Sequence, residues 1–224
     1  MKNKYVKRSK ISEAKFRNII MYFSLELDSQ KIAALTSVNR NTINRYLARI
    51  RGRIVELCEN QAQAYHTGMT AQPAGRTDGT DGRDRGSAED GLPVFGIRSH
   101  NDHIYTRLFP NGIRRKLRRI VKGDAEGLRQ AVPLDWHSYD GIVDLNGRWH
   151  YRLSPVSPGV KSIEDSHDAV DAFLGFARKR LTTFQRNGND HFNLYLKECE
   201  FRFNHRNTDL YQLLLKRFRE NPLA

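Results

Sequence analysis

Four neighbouring side chains, Arg40, Asn41, Asn44 and Arg45, have the chemistry of base reading: arginine pairs with a guanine edge and asparagine with an adenine edge in a major groove. On a helix they fall on the face opposite Ile43, Tyr46 and Leu47, so one side can be buried while the other meets a duplex. Lys2, Lys4, Lys7, Arg8 and Lys10 precede them and suit phosphate contacts, which position a protein on DNA without reading its sequence. Two further cationic runs, Arg114, Arg115, Lys116, Arg118 and Arg119, then Arg178, Lys179 and Arg180, could line a nucleic-acid groove or form solvated helix faces. Other chemistries are poorly served. Asp78, Asp81 and Asp84 lack the alternate-position oxygens and closing Glu of a calcium loop. Cys58 and Cys199 have no CxxC partner, so neither a disulfide framework nor a zinc knuckle is indicated.

The charge balance agrees with a polyanionic partner. The 224 residues carry a formal net charge of +13, and counterion release from phosphates is the usual reward for such an excess. Residues 1–60 hold thirteen Lys or Arg against five Asp or Glu, so the excess starts at the N-terminus. No 18-residue apolar run occurs and the first residues are polar, which predicts no membrane partner and a cytoplasmic location.

The elements that must position these residues follow from periodicity. Phe16, Ile19, Ile20 and Phe23 recur at helical spacing, then Ile32, Ala33 and Leu35, and Asn39 is placed to cap a third helix carrying Ile43, Tyr46, Leu47 and Ile50. Two helices, a tight turn and a polar third face make a helix-turn-helix layout over residues 1–60. Residues 61–92 contain six glycines, five acids and three arginines without any period, and read as a flexible linker. Order returns with residues 93–97 and 103–109, two strands of a hairpin around a polar turn. A basic helix over 113–121, strands at 131–134 and 149–153, a loop through Pro155 and Pro158, and helices from 165 to 220 complete the chain, with breaks near 187–189 and 207. The fold class is α/β, with the domain over 93–224 ending in a helical tail whose Phe201 and Phe203, with Leu194, Tyr195, Leu210, Leu213 and Leu214, are expected to pack on the sheet.

Residues 196–206, Leu-Lys-Glu-Cys-Glu-Phe-Arg-Phe-Asn-His-Arg, together with Phe173 to Leu181, Val94-Phe95-Gly96, Trp136 and Tyr139-Asp140, resemble the DDE-type transposases of one group of small bacterial insertion sequences. The resemblance implies an RNase H-like domain whose three acids hold two Mg²⁺ ions for cleavage and joining of DNA strands. It also implies double-stranded transposon ends as the partner, a homodimer as the candidate assembly and a bacterial, nucleoid-associated setting. Carried over position by position, the match is incomplete. Residues 68–74 stand where the first acid and its strand belong and contain no acid. Asp135 is one position late for the second acid, which on a strand end turns a side chain to the other face. Asp171 replaces the expected Glu and is one methylene shorter. The expectation is therefore a transposase by descent with a degraded first catalytic strand and impaired chemistry, Asp135 and Asp171 remaining as partial metal ligands; the alternative is a non-catalytic, sequence-specific DNA-binding protein or repressor.

Overall fold

The computed structural model of the chain describes residues 3–67, 93–109, 139–144, 149–152, 159–162, 169–182 and 188–223. The expected helix over 113–121, the strand over 131–134, Asp135 and residues 68–92 of the expected linker lie outside them. The described elements mix helices and sheet. In chain order they are α1 (Glu13–Ser24), α2 (Ser29–Thr36), α3 (Arg40–Thr67), β1 (Phe95–His100), β2 (His103–Leu108), β3 (Gly141–Asp144), β4 (Trp149–Arg152), β5 (Gly159–Ser162), α4 (Ala169–Thr182), α5 (Gly188–Asn204) and α6 (Leu210–Glu220). They divide into two compact units, residues 1–57 with 204–224, and residues 58–203, so the second is inserted in sequence into the first.

The first unit begins as its periodicity dictates. Ser12 caps α1 by accepting from the Lys15 N–H, and Asp28 caps α2 by accepting from the Lys31 N–H at 2.9 Å. Phe16, Ile19, Ile20, Phe23, Ile32, Ile43, Tyr46, Leu47 and Ile50 are buried as read from the sequence, but Leu35, expected on the apolar face of α2, is exposed, and Thr36 is buried on that helix with Ile32. α3 runs on to Thr67, seven residues into the stretch expected to be loop, because Gln61, Ala62, Gln63 and Ala64 favour helix and the first breaker is Gly68.

The helical tail meets the expectation in α5, whose Phe203 and Tyr195 join the core with the sheet, and departs from it in α6. Leu210, Leu213 and Leu214 lie on α6, which packs on α1 of the first unit. Phe218 is fully buried with its ring 6.2 Å from Phe16, and Phe16 in turn meets Tyr5 and Tyr46, each at 5.9 Å. Beyond α6, Leu223 forms a parallel bridge with Val6: its N–H donates to Tyr5 O at 2.9 Å and its carbonyl accepts from the Lys7 N–H at 2.8 Å. Arg53 of α3 donates to the Pro222 carbonyl at 3.4 Å. A tail helix shows its apolar face in sequence but not the surface it will meet, and here that surface is α1.

In the second unit a five-stranded sheet has the order β2-β1-β3-β4-β5, every pair antiparallel. The expected hairpin is β1–β2, closed by Asn101 and Asp102, both at positive φ (48° and 64°), the residue types that tolerate a two-residue primed turn. β4 also falls where expected; β3 and β5, four residues each, are too short to show a period. Gly96 is required where it stands, since a Cβ there would lie 2.7 Å from the Tyr139 ring. Asp140 prolongs the β1–β3 ladder: its N–H donates to Ile97 O at 2.9 Å, and its carboxylate accepts from the Ser99 N–H at 2.6 Å and the Ser99 hydroxyl at 3.1 Å. Phe95, Ile97, Ile104 and Val143 of the sheet bury a core with Phe173, Leu174 and Leu181 of α4 and Phe192, Leu196 and Phe203 of α5.

β2 is the edge of the described sheet, and Thr106 there is paired with Ile97 at a position where its backbone N–H and C=O face outward. α5 satisfies both. The buried Glu200 carboxylate accepts from the Thr106 N–H at 2.8 Å and its hydroxyl at 2.6 Å, while the buried Lys197 ammonium donates to the Thr106 carbonyl at 2.6 Å and to Glu200 at 2.7 Å. One turn on, Arg202 and Glu198 form a second ion pair at 2.8 Å, largely covered.

Two substitutions test this architecture. Phe218→Ala should cost about 3–5 kcal/mol as a deleted buried aromatic, and an unchanged melting temperature would show α6 to be dispensable. Glu200→Gln keeps the shape but leaves Lys197 buried without its counter-charge, with an expected loss of about 3–5 kcal/mol in denaturant unfolding, and adding Lys197→Met should restore part of it.

Candidate nucleic-acid interface

The polar face read from the sequence is built by a turn of three residues. α2 ends at Ser37 in the left-handed region (φ 50°), and the Val38 N–H returns to Ala33 O at 3.2 Å, closing the helix C-terminus. Asn39 then caps α3: its side-chain oxygen accepts from the Asn41 N–H at 2.8 Å and its carbonyl from the Ile43 N–H. Lys15 of α1 donates to the Ser37 carbonyl at 3.4 Å, tying the first helix to the turn.

From this cap α3 buries Ile43, Tyr46, Leu47 and Ile50 and leaves Arg40, Asn41, Asn44 and Arg45 exposed. All four predicted base-reading residues therefore share one solvent-facing surface over the first two turns. Arg49 extends it. It is exposed, four residues after Arg45, with its guanidinium 5.9 Å from the Tyr46 ring centre; helical spacing alone was enough to find it.

The N-terminal arm is held against the same helix. The Ser9 and Tyr46 hydroxyls lie 3.1 Å apart, and Ser9 also binds the backbone of Ile11. Lys7 and Arg8 are exposed on this arm, with Arg8 at a positive φ of 52°. Lys4 pairs with Glu13 at 3.0 Å, and that hydrogen bond holds the half-buried Glu13 carboxyl below its ordinary pKa.

Charge is distributed unevenly between the two units. The first contains seventeen Lys and Arg against six Asp and Glu, eleven of the thirteen net positive charges; the second is nearly balanced. Arg178, Lys179 and Arg180 belong to the second unit, on α4. Arg180 lies over the Phe176 ring at 3.9 Å and donates to the Phe176 carbonyl at 3.0 Å, so this member of the run already has a packing role.

Of the two acids singled out, Asp171 stands in the first turn of α4, 7% exposed, beside the core residues Val170, Phe173 and Leu174. A carboxylate there is favoured by the positive end of the helix dipole. Among the described residues no group of three or more His, Cys, Asp or Glu stands together to hold a metal. Cys58 and Cys199 are buried free thiols; burial, with Glu200 nearby, pushes Cys58 well above its ordinary pKa, which makes it a poor nucleophile or metal ligand. No described helix is long and apolar enough to cross a membrane.

The chain is 26% identical over 124 residues to an uncharacterized transposase-like protein of Haemophilus influenzae, an alignment covering 54% of this chain and 97% of that one. No family model matches the chain, nor does any solved structure.

Proposed function

We propose that the chain is a transposase-related protein that binds double-stranded DNA through α2, its three-residue turn and α3, used as a helix-turn-helix, with the first two turns of α3 in the major groove. The observation that carries this reading is the joint exposure of Arg40, Asn41, Asn44 and Arg45 on a capped helix whose opposite face is buried. Arg40 and Arg45 have the fork geometry for guanine O6 and N7, and Asn41 and Asn44 the donor and acceptor pair for adenine N6 and N7. Lys7 and Arg8 on the pinned arm contact phosphates and set the register. The concentration of positive charge in this unit and the similarity to a transposase-like protein support the same partner. The natural targets are transposon ends, bound by a homodimer, in a cytoplasmic protein associated with the nucleoid.

The domain organisation that fits this activity is the expected one, a DNA-binding module over residues 1–60, a linker over 61–92 and a degraded RNase H-like domain over 93–224, with α3 running on to Thr67 and residues 204–224 returning to the first unit. Its chemistry is impaired in this reading. Residues 68–74 offer no acid, Asp135 is out of register, and Asp171 is short and largely covered. Two carboxylates can attract a hydrated Mg²⁺ but do not hold two ions rigidly enough for in-line attack on a phosphate.

Two measurements test the proposal. With DNA selected from a random pool, Arg45→Ala should lose about 1–3 kcal/mol of affinity for the selected sequence and little for unrelated duplexes; equal loss on both would argue against base reading. The purified protein should show no Mg²⁺- or Mn²⁺-dependent strand cleavage or joining. Cleavage that disappears in Asp171→Ala would restore it to the active enzymes.

A further inference from the structure

The C-terminal helix α6 does more than complete a core. Its buried side is Leu214, Leu215 and Phe218, and its exposed positions are Gln212, Lys216, Arg217, Arg219 and Glu220. Arg217 is engaged with Glu220 at 3.5 Å, while Lys216 and Arg219 belong to the same solvent-facing side. The chain beyond α6 is fastened to the N-terminal arm through Leu223, whose carbonyl accepts from the backbone N–H of Lys7. Arg17 of α1 reaches the Tyr211 hydroxyl of α6 at 3.4 Å. Cations more than two hundred positions apart in sequence are thereby joined on one unit: Lys7 and Arg8 on the arm, Arg17 on α1, and Lys216 and Arg219 on α6.

We propose that α6 and the N-terminal arm together form a second, sequence-independent contact surface for the phosphate backbone of double-stranded DNA, flanking the base-reading face of α3. The proposal rests on the reading of α3 given above and adds a partner contact which that reading does not contain. An anionic lipid surface presents similar phosphates, but interfacial helices insert an apolar face, and no exposed position of α6 is apolar. The large exposed apolar side chains among the described residues, Leu25 and Leu35, lie elsewhere, at the end of α1 and on α2. Neutralised phosphates release condensed counterions, so such a surface strengthens binding to any duplex and steepens its salt dependence.

The test uses the full chain carrying Lys216→Ala and Arg219→Ala together, with Gln212→Ala as a neutral change on the same side. Affinity for a mixed-sequence duplex is measured across a salt series. The double variant should bind more weakly at low salt, and the slope of log K against log salt should fall by about 2, one for each lost phosphate contact, while Gln212→Ala changes neither. An unchanged slope in the double variant, with Arg45→Ala still selective, overturns the proposal and leaves the α3 reading standing. A lowered melting temperature with an unchanged slope would assign the two cations to the helix dipole alone and also overturn it. Binding to anionic phospholipid vesicles that the double variant loses, with the duplex slope unmoved, would overturn it in favour of a membrane surface. If the wild-type chain binds no duplex at all, both readings fall.

Discussion

The clasp of Lys197 and Glu200 on Thr106 is the interaction on which the second unit depends. An edge strand offers unpaired N–H and C=O groups that invite another chain, and here two side chains from a helix take the place of a neighbouring strand. Both charges are buried, which is costly unless each is matched, and each is: the ammonium faces a carboxylate and a carbonyl, the carboxylate faces an ammonium, an N–H and a hydroxyl. The spacing of three residues puts the two side chains on one face of α5, and that face then fixes the height of α5 along the strand. Leu196, Cys199 and Phe203, spaced three and four residues apart on the same helix, enter the shared core as a consequence.

This clasp gives a physical account of the cationic and aromatic run at 196–206. A sequence dense in charge beside large apolar residues suggests a binding surface, yet Lys197, Glu198, Glu200 and Arg202 are spent on contacts within the protein. The same is true of the short motifs upstream. Gly96 makes room for the Tyr139 ring, Asp140 closes the β1–β3 ladder, and Arg180 lies on Phe176. Residues that mark a relationship between proteins are often those that hold a fold together, and they carry little information about what the fold does.

The first unit divides the labour differently. Its interior is an aromatic cluster, Tyr5, Phe16, Tyr46 and Phe218, drawn from the arm, α1, α3 and α6, and nearly all of the chain's net charge is left on its surface. Tyr46 belongs to both aspects. Its ring packs on Phe16, its hydroxyl fixes the arm through Ser9, and Arg49 lies over it. The geometry of the exposed face of α3 is thus set from behind, by residues that would never contact a ligand there.

Much of this unit was legible in the amino-acid order. The apolar faces of α1 and α3, the cap at Asn39 and the polar face of α3 all follow from spacing within a few residues, whereas on the short α2 the spacing located Ile32 but misplaced Leu35, which is exposed. The β1–β2 hairpin was legible through its two apolar runs and the polar residues 99–102 between them, of which Asn101 and Asp102 form the turn while Ser99 and His100 extend β1. What only the tertiary structure decided were the pairings between distant segments: α6 on α1, Leu223 beside Val6, Lys197 and Glu200 on Thr106, and β3 between β1 and β4. Periodicity reveals that a face is apolar or that a charge is unusual. The partner that covers it is chosen by a competition among all surfaces of the folded chain, which no local pattern records.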